Sequence, residues 1–224
     1  MRAPISVIIP TLNAEAHLGD CLTALMPGVE AGLIRELIVS DGGSDDATVA
    51  IAKAWGAEVV TGAPSRGGQL SRGCAKAKGA WLLVLHADTV LRPGWVGPAI
   101  LHLDTHNAGW FRLAFAKGGC AGALVAAWAN LRSRFGLPYG DQGLLIPRAL
   151  YADVGGYPDQ PLMEDVAIAR ALKGRLAPID GVAETCAARY RSQGWVRRGA
   201  RNLWTLLRYF AGASPQHLAE SYRR

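Results

Sequence analysis

Residues 81–89, Trp-Leu-Leu-Val-Leu-His-Ala-Asp-Thr, decide how the rest of the chain is arranged. Trp81 to Leu85 is a continuous apolar run, long enough for a fully buried strand and too short for a helix. The run stops at His86, and a carboxylate, Asp88, follows two residues later. In an open α/β sheet, ligands sit in the crevice just beyond the carboxyl ends of the strands. Asp88 is therefore placed either to hold a metal ion or substrate, or to serve only as a turn or helix-cap residue.

Upstream of this stretch, strand and helix patterns alternate. Residues 5–9 read as a strand ended by Pro10, and residues 14–26 as a helix closed by Pro27 and Gly28. Residues 33–39 form a second expected strand, 45–55 a helix and 58–61 a third strand. The basic, glycine-rich residues 66–78 read as a loop leading into a helix that Gly79 stops. This alternation predicts a mostly parallel central sheet with helices on both faces. Past Pro93 the pattern loosens. Helices are expected to about residue 106, over 120–133 and over 165–173, and strands over 109–115 and 142–146. With no internal repeat and no low-complexity linker, residues 1–224 read as one α/β domain. Residues 1–92 and 93–190 form its halves, and 191–224 a C-terminal helix and tail.

Half of the 224 residues are apolar and 19% are charged, a globular composition. The net charge of +6 suits an anionic ligand, nucleic acid or an acidic membrane. Cys21, Cys74, Cys120 and Cys186 lie far apart with no C-x-x-C pair. They are expected to be buried or free thiols in a reducing compartment. The apolar run at the N-terminus is too brief for a signal peptide, and residues 118–129 fall well short of a bilayer span. A cytoplasmic location follows as the expectation.

The first strand leads into Pro-Thr-Leu-Asn, so the dinucleotide fingerprint is absent where it would have to be. P-loop, zincin and α/β-hydrolase motifs are absent too. What remains is a polar group at each of four successive strand ends: Thr11 and Asn13, then Asp41, then Arg66, then His86 and Asp88. In a parallel sheet these ends share one edge, so the groups converge. Singly, each also has a plain reading as a helix cap or a solvated loop charge.

The segments SVIIPTLN, VSDGGSDDAT, RGGQLSRGCAKAKG, LHADT and GGYPDQPLMEDVAIARAL, in this order, strongly resemble family 2 glycosyltransferases, which have the GT-A fold. At a finer level LHADT, ANLRSRFGLPYGDQ, PLMEDV and SPQHLAESY look like a bacterial subfamily labelled arsenosugar biosynthesis glycosyltransferases. The family resemblance implies an inverting, metal-dependent transfer of sugar from a nucleotide-diphosphate donor to a hydroxyl acceptor. It implies that Pro10, Thr11, Asn13, Asp41 and Gly42 hold the nucleoside and that Arg66 pairs with the diphosphate. His86, Ala87 and Asp88 take the place of the family's D-x-D signature, with Asp88 and His86 on the metal. An imidazole at the first position leans the expected cofactor toward Mn²⁺ over Mg²⁺. Glu164 and Asp165 match the family's E-D motif, with Asp165 as the general base; a plain alternative is two acids favouring a helix N-terminus. Asp141, Gln142 and Tyr157 are expected on the acceptor side, and Asp141 competes for the catalytic role. Ala14 departs from the family pattern, which has an acid there; Glu15 is a possible substitute.

Val196, Ala200, Leu203, Leu207 and Phe210 lie on one face of an amphipathic C-terminal helix. That face either packs on the domain or rests on an anionic membrane, shaping a site for an anionic or lipid-linked acceptor. Alternatives to the enzyme are a non-catalytic nucleotide-sugar-binding or membrane-recruited module and a nucleotidyltransferase. The missing basic glycine-rich loop after the first strand argues against the nucleotidyltransferase. Nucleic-acid binding ranks last, because the arginines are concentrated in the C-terminal helix without a recognition motif. His17, His102, His106 and His217 show no ligand spacing.

Overall fold

The computed structural model describes residues 3–223. Met1, Arg2 and Arg224, which the one-domain reading includes, lie outside the described residues. The first half runs β1 (Ile5–Thr11), α1 (Glu15–Thr23), α2 (Met26–Glu30), β2 (Ile34–Asp41), α3 (Thr48–Ala54), β3 (Glu58–Thr61), α4 (Arg66–Lys76) and β4 (Trp81–Val84). β3, β2, β1 and β4 are parallel neighbours, as the alternation predicts.

Three local expectations are corrected. Pro10 does not end β1, because the strand is paired only with β2 at that point, β4 having paired no further than Ile8. The helix expected over 14–26 breaks after Thr23, and Pro27 enters the first turn of α2, where its missing N–H costs no helical bond. The glycine-rich segment is not a loop, for α4 starts at Arg66 on a Ser65 cap. Its glycines are there for close packing. A Cβ on Gly67 would run into the Pro158 carbonyl, and one on Gly73 into Ile8.

The second half runs β5 (Thr89–Leu91), α5 (Val96–Leu103), β6 (Ala108–Ala116), α6 (Gly119–Arg134), a 3₁₀ turn (Gly140–Gln142), β7 (Leu144–Pro147), α7 (Arg148–Asp153), α8 (Glu164–Ala171), β8 (Leu176–Cys186), α9 (Ala188–Gln193), α10 (Trp195–Phe210) and α11 (Pro215–Arg223). One sheet, ordered β3-β2-β1-β4-β7-β6-β8-β5, carries both halves. Beyond β4 it turns mixed: β7 is antiparallel to β4 and β6, and β8 is parallel to β6 and antiparallel to β5. Gln142, expected in a strand, lies in the 3₁₀ turn before β7.

Helices cover both faces. On one face Val7, Ile9, Leu83 and Leu85 pack with Leu18 and Leu22 of α1 and Ala99 of α5. On the other, Ile8, Ile38, Leu82 and Val84 meet Leu70 of α4, Leu150 of α7 and Ile168 of α8. A third cluster, with Met163, Val166, Leu206 and Leu218, holds α10 and α11 against the start of α8. Cys21 and Cys74 are buried free thiols. The expected apolar face of α10 does not pack on the domain: Val196, Leu203, Leu207 and Phe210 are exposed, and Arg198, Thr205 and Leu206 are buried instead.

Candidate active site

A cavity of about 560 Å³ lies at the carboxyl ends of β1 and β4. That is a volume suited to a ligand of nucleotide size. Pro10 and Thr11, the last residues of β1, and Asn13 just beyond it line the cavity, Arg66 reaches it from the start of α4, and His86, Ala87 and Asp88 follow β4. The second half contributes Asp141 from the 3₁₀ turn and Glu164 and Asp165 from the first turn of α8. His17, which shows no ligand spacing in the sequence, also lines it.

Four expected site residues do not line this cavity. The Asp41 carboxylate is occupied within its own turn. It accepts hydrogen bonds from Thr11 Oγ1 at 2.9 Å, from the backbone N–H of Gly43 and Ser44 at 2.8 Å each, and from Ser44 Oγ at 2.6 Å. Burial pushes its pKa up, but these bonds prevail and hold it below the usual carboxylate range. Gly42 donates its N–H to the Thr11 carbonyl. Tyr157 is buried in the core beneath α4 and α7 with Cys74 and Leu150. Gln142 Oε1 accepts from Ser133 Oγ at 2.6 Å and Tyr139 N–H at 3.2 Å, and its Nε2 donates to the Phe111 carbonyl at 3.2 Å. It fixes the turn that presents Asp141. Glu15, weighed as a substitute acid, instead accepts the Ala47 N–H at the start of α3.

The acids inside the cavity differ in their partners. Asp165 accepts the Gly140 N–H at 3.0 Å and the Val166 N–H at 2.7 Å, which joins the start of α8 to the Asp141 turn. Glu164 is fully buried, and neither of its oxygens has a hydrogen-bond partner among the described residues; Arg66 Nη1 stands 4.0 Å away. Burial pushes the Glu164 carboxyl up to about 7, the Asp165 charge adds to the rise, and Arg66 opposes it. Asp141 leaves one oxygen unpartnered, and burial pushes it up to about 6 against the pull of Arg132. Burial and the Arg66 charge hold the His86 imidazole below its ordinary pKa, so it is neutral near pH 7.

Among the described residues no three His, Cys, Asp or Glu side chains are gathered as a ready-made cage. An ion that takes most of its coordination from diphosphate and water needs only one or two protein donors. A neutral imidazole and a carboxylate two residues apart, in a cavity where a further carboxylate has a free oxygen, fit that requirement.

The far wall went largely unseen in the sequence. Arg189, Tyr190, Arg198, Asn202 and Tyr222 of α9 to α11 complete the cavity. Arg198 donates to Gln193 Oε1 at 2.8 Å and to Tyr222 Oη at 2.7 Å, while its Nε, buried, has no partner among the described residues. The signal lay in the polar spacing of α10, where Arg198, Asn202, Thr205 and Tyr209 recur at four and three residues. Gln69 was also missed. Buried in α4, its Nε2 donates to the carbonyls of Thr11 at 2.7 Å and Ser40 at 3.1 Å, tying together the ends of β1 and β2.

The chain is similar in sequence and in fold to known proteins. Glucosyl-3-phosphoglycerate synthase of Mycobacterium tuberculosis (strain ATCC 25618 / H37Rv) is 34% identical over 110 residues, 43% of this chain and 34% of that protein. A PGL/p-HBAD biosynthesis glycosyltransferase of Mycobacterium bovis (strain BCG / Pasteur 1173P2) is 37% identical over 99 residues, 41% of this chain and 38% of that one. These matches span little more than a third of the curated relatives' length. The crystal structure of the M. tuberculosis synthase with Mn²⁺, uridine diphosphate and phosphoglyceric acid superposes with a TM-score of 0.59 at 25% identity, covering 81% of this chain and 70% of that one. S. aureus TarS with UDP, at 17% identity and a TM-score of 0.63, covers 82% of this chain and 60% of that one and shows likeness of fold alone. The fold is the GT-A fold of these glycosyltransferases. The profile described as Glycosyl transferase family 2 matches residues 6–132, more than half of the chain. The chain therefore belongs to glycosyl transferase family 2.

Proposed function

We propose that this chain moves a glycosyl group from a uridine-diphosphate sugar to the hydroxyl of an acceptor that carries an anionic group, with Mn²⁺ as cofactor and inversion at the anomeric carbon. The observation that carries this reading is the meeting, in one cavity, of strand-end groups from β1 and β4 with the Glu164–Asp165 pair of α8. The M. tuberculosis synthase binds Mn²⁺, UDP and phosphoglyceric acid, which supports the choice of nucleotide, ion and acceptor charge. Arg189 and Arg198 on the far wall suit such an acceptor. The finer resemblance to arsenosugar-biosynthesis proteins gains no support from the relatives above, so the acceptor is assigned here by charge alone.

In this reading Asp165 takes the proton of the acceptor hydroxyl. The acceptor oxygen bonds to the anomeric carbon as the bond from that carbon to the diphosphate oxygen breaks, and the electron pair leaves with UDP. Arg66 pairs with the departing phosphates. Asp88 and His86 would hold the ion, whose charge, when it is bound, offsets that of the leaving diphosphate. The Gly140 N–H fixes the direction of the Asp165 carboxylate.

The test is UDP release from a panel of UDP-sugars with Mn²⁺ and phosphorylated or carboxylated hydroxy compounds. Release should require the ion, and Asp165→Asn should lower kcat by about 10²–10⁴-fold while UDP still binds, the range expected for loss of a general base. A sensor would bind UDP without turnover. A nucleotidyltransferase would release pyrophosphate from a nucleoside triphosphate. Either outcome contradicts the proposal.

A further inference from the structure

α10 is amphipathic in the opposite sense from a helix that packs by its apolar side. Arg198, Asn202, Thr205 and Tyr209 form the stripe turned toward the protein, where Asn202 Nδ2 donates to Tyr190 Oη at 2.9 Å and Arg198 reaches Tyr222. The opposite stripe faces outward: Val196 is 87% exposed, Leu203 44%, Leu207 51% and Phe210 45%, with Trp204 beside them at 62%. α6, which touches α10, repeats the pattern. Leu124, Trp128, Leu131 and Phe135 are exposed, while the small residues Gly122, Ala126, Ala129 and Ser133 lie on its buried side. These two helices carry most of the large apolar side chains exposed among the described residues. An apolar surface gathered in this way marks an interaction face.

Charge identifies the occupant. Neither residues 105–140, which contain α6, nor residues 185–219, which contain α10, include a single Asp or Glu. The exposed Arg112, Lys117, Arg134, Arg191 and Arg197 belong to these same stretches. A second copy of the chain, set face to face, would bring like charges together. An anionic lipid surface accepts both the apolar stripe and its basic flanks. No described helix is long and apolar enough to cross a membrane, so such a contact is interfacial. We propose that the outer face of α10, with α6 beside it, rests on an anionic bilayer, its apolar side chains at the boundary of headgroups and acyl chains. Because the inner face of α10 walls the cavity, the site then stands about one helix diameter, roughly 10 Å, from the lipid.

The test is flotation of the full chain with vesicles of phosphatidylcholine alone and of an equal mixture with phosphatidylglycerol. The chain should float with the mixed vesicles, more weakly with the neutral ones, and progressively less as salt rises. Leu203→Asp and Trp204→Ser should each weaken binding by about tenfold, and Arg197→Ala by about fivefold. All three side chains are exposed, so the melting temperature and UDP binding should not change. Quenching by lipids brominated on the acyl chain should show a component that Trp204→Phe removes. Absence of binding to mixed vesicles at low salt overturns the proposal. So does a dimer in solution that Leu203→Asp dissociates, since the face would then be a self-interface. The reaction assignment is tested separately, because UDP binding is read without lipid.

Discussion

Glu164 and Asp165 are neighbours in sequence with opposite surroundings: two backbone N–H groups hold the Asp165 carboxylate, whereas the buried Glu164 carboxyl has no hydrogen-bond partner among the described residues. For a carboxyl whose pKa is raised by folding, the folded state keeps a proton that the unfolded chain releases. Stability is then greatest below its ordinary value of 4.5 and falls as pH rises toward about 7. Glu164→Gln keeps the shape without the charge. The variant should match wild type near pH 4.5 and melt several degrees higher at pH 8, and parallel melting curves across that range would contradict the account. Asp141 supplies the competing base, with an unpartnered oxygen and a pKa pushed up to about 6. If Asp165 is the base, Asp141→Asn should retain most of kcat; a loss as large as that of Asp165→Asn would reassign the role. Glu164, Asp165 and Asp141 were legible only through the family resemblance, whereas the groups after β1 and β4 were legible because strand ends converge whatever the side chain. Asp41 was legible as a position but not as a partner, since Thr11 and Ser44, local in space, take up its oxygens.

At the scale of elements, α4 links the first half of the sheet to the segment that leads into α8. Gly67 N–H donates to the Gln160 carbonyl at 3.0 Å, and Ser65 Oγ donates to Asp159 at 2.6 Å. Gly67 faces the Pro158 carbonyl so closely that a side chain has no room. Gly67→Ala should therefore cost about 1–3 kcal/mol, an overpacking penalty, and should weaken UDP binding by displacing Arg66. A variant with unchanged melting temperature would show that the segment yields freely. The strand β8, the longest in the sheet, was not legible. Phe111 pairs with Ile179 and Arg112 with Val182, so Asp180 and Gly181 are accommodated as a bulge inside a continuous strand. A pattern of period two cannot announce a strand that breaks its own register.

At the scale of the whole molecule, the cavity is assembled from both halves of the sheet and from the C-terminal helices. The periodicity of α10 was legible, but its orientation was not. Apolar spacing predicts a buried face, whereas here the polar face is the one the site requires, and the apolar face is left outward. The parallel pairing of the first half was legible because local alternation sets a parallel sheet. In the second half the elements expected over 109–115, 120–133 and 165–173 formed, but their pairing was not legible, because the mixed ladder joins residues distant in the chain.

The central claim is that this cavity holds a nucleoside diphosphate together with a divalent ion through Asp88, and thermal denaturation with UDP tests it most directly. With UDP about a hundredfold above its Kd, linkage adds about 2.7 kcal/mol, and a chain of this size gains about 2–4 °C for each kcal/mol, so melting should rise by about 5–10 °C. The rise should require Mn²⁺ for its full size and shrink sharply in Asp88→Asn, whose own melting temperature without ligand should match wild type. A melting temperature unmoved by UDP with Mn²⁺, or a shift that Asp88→Asn leaves intact, would contradict it.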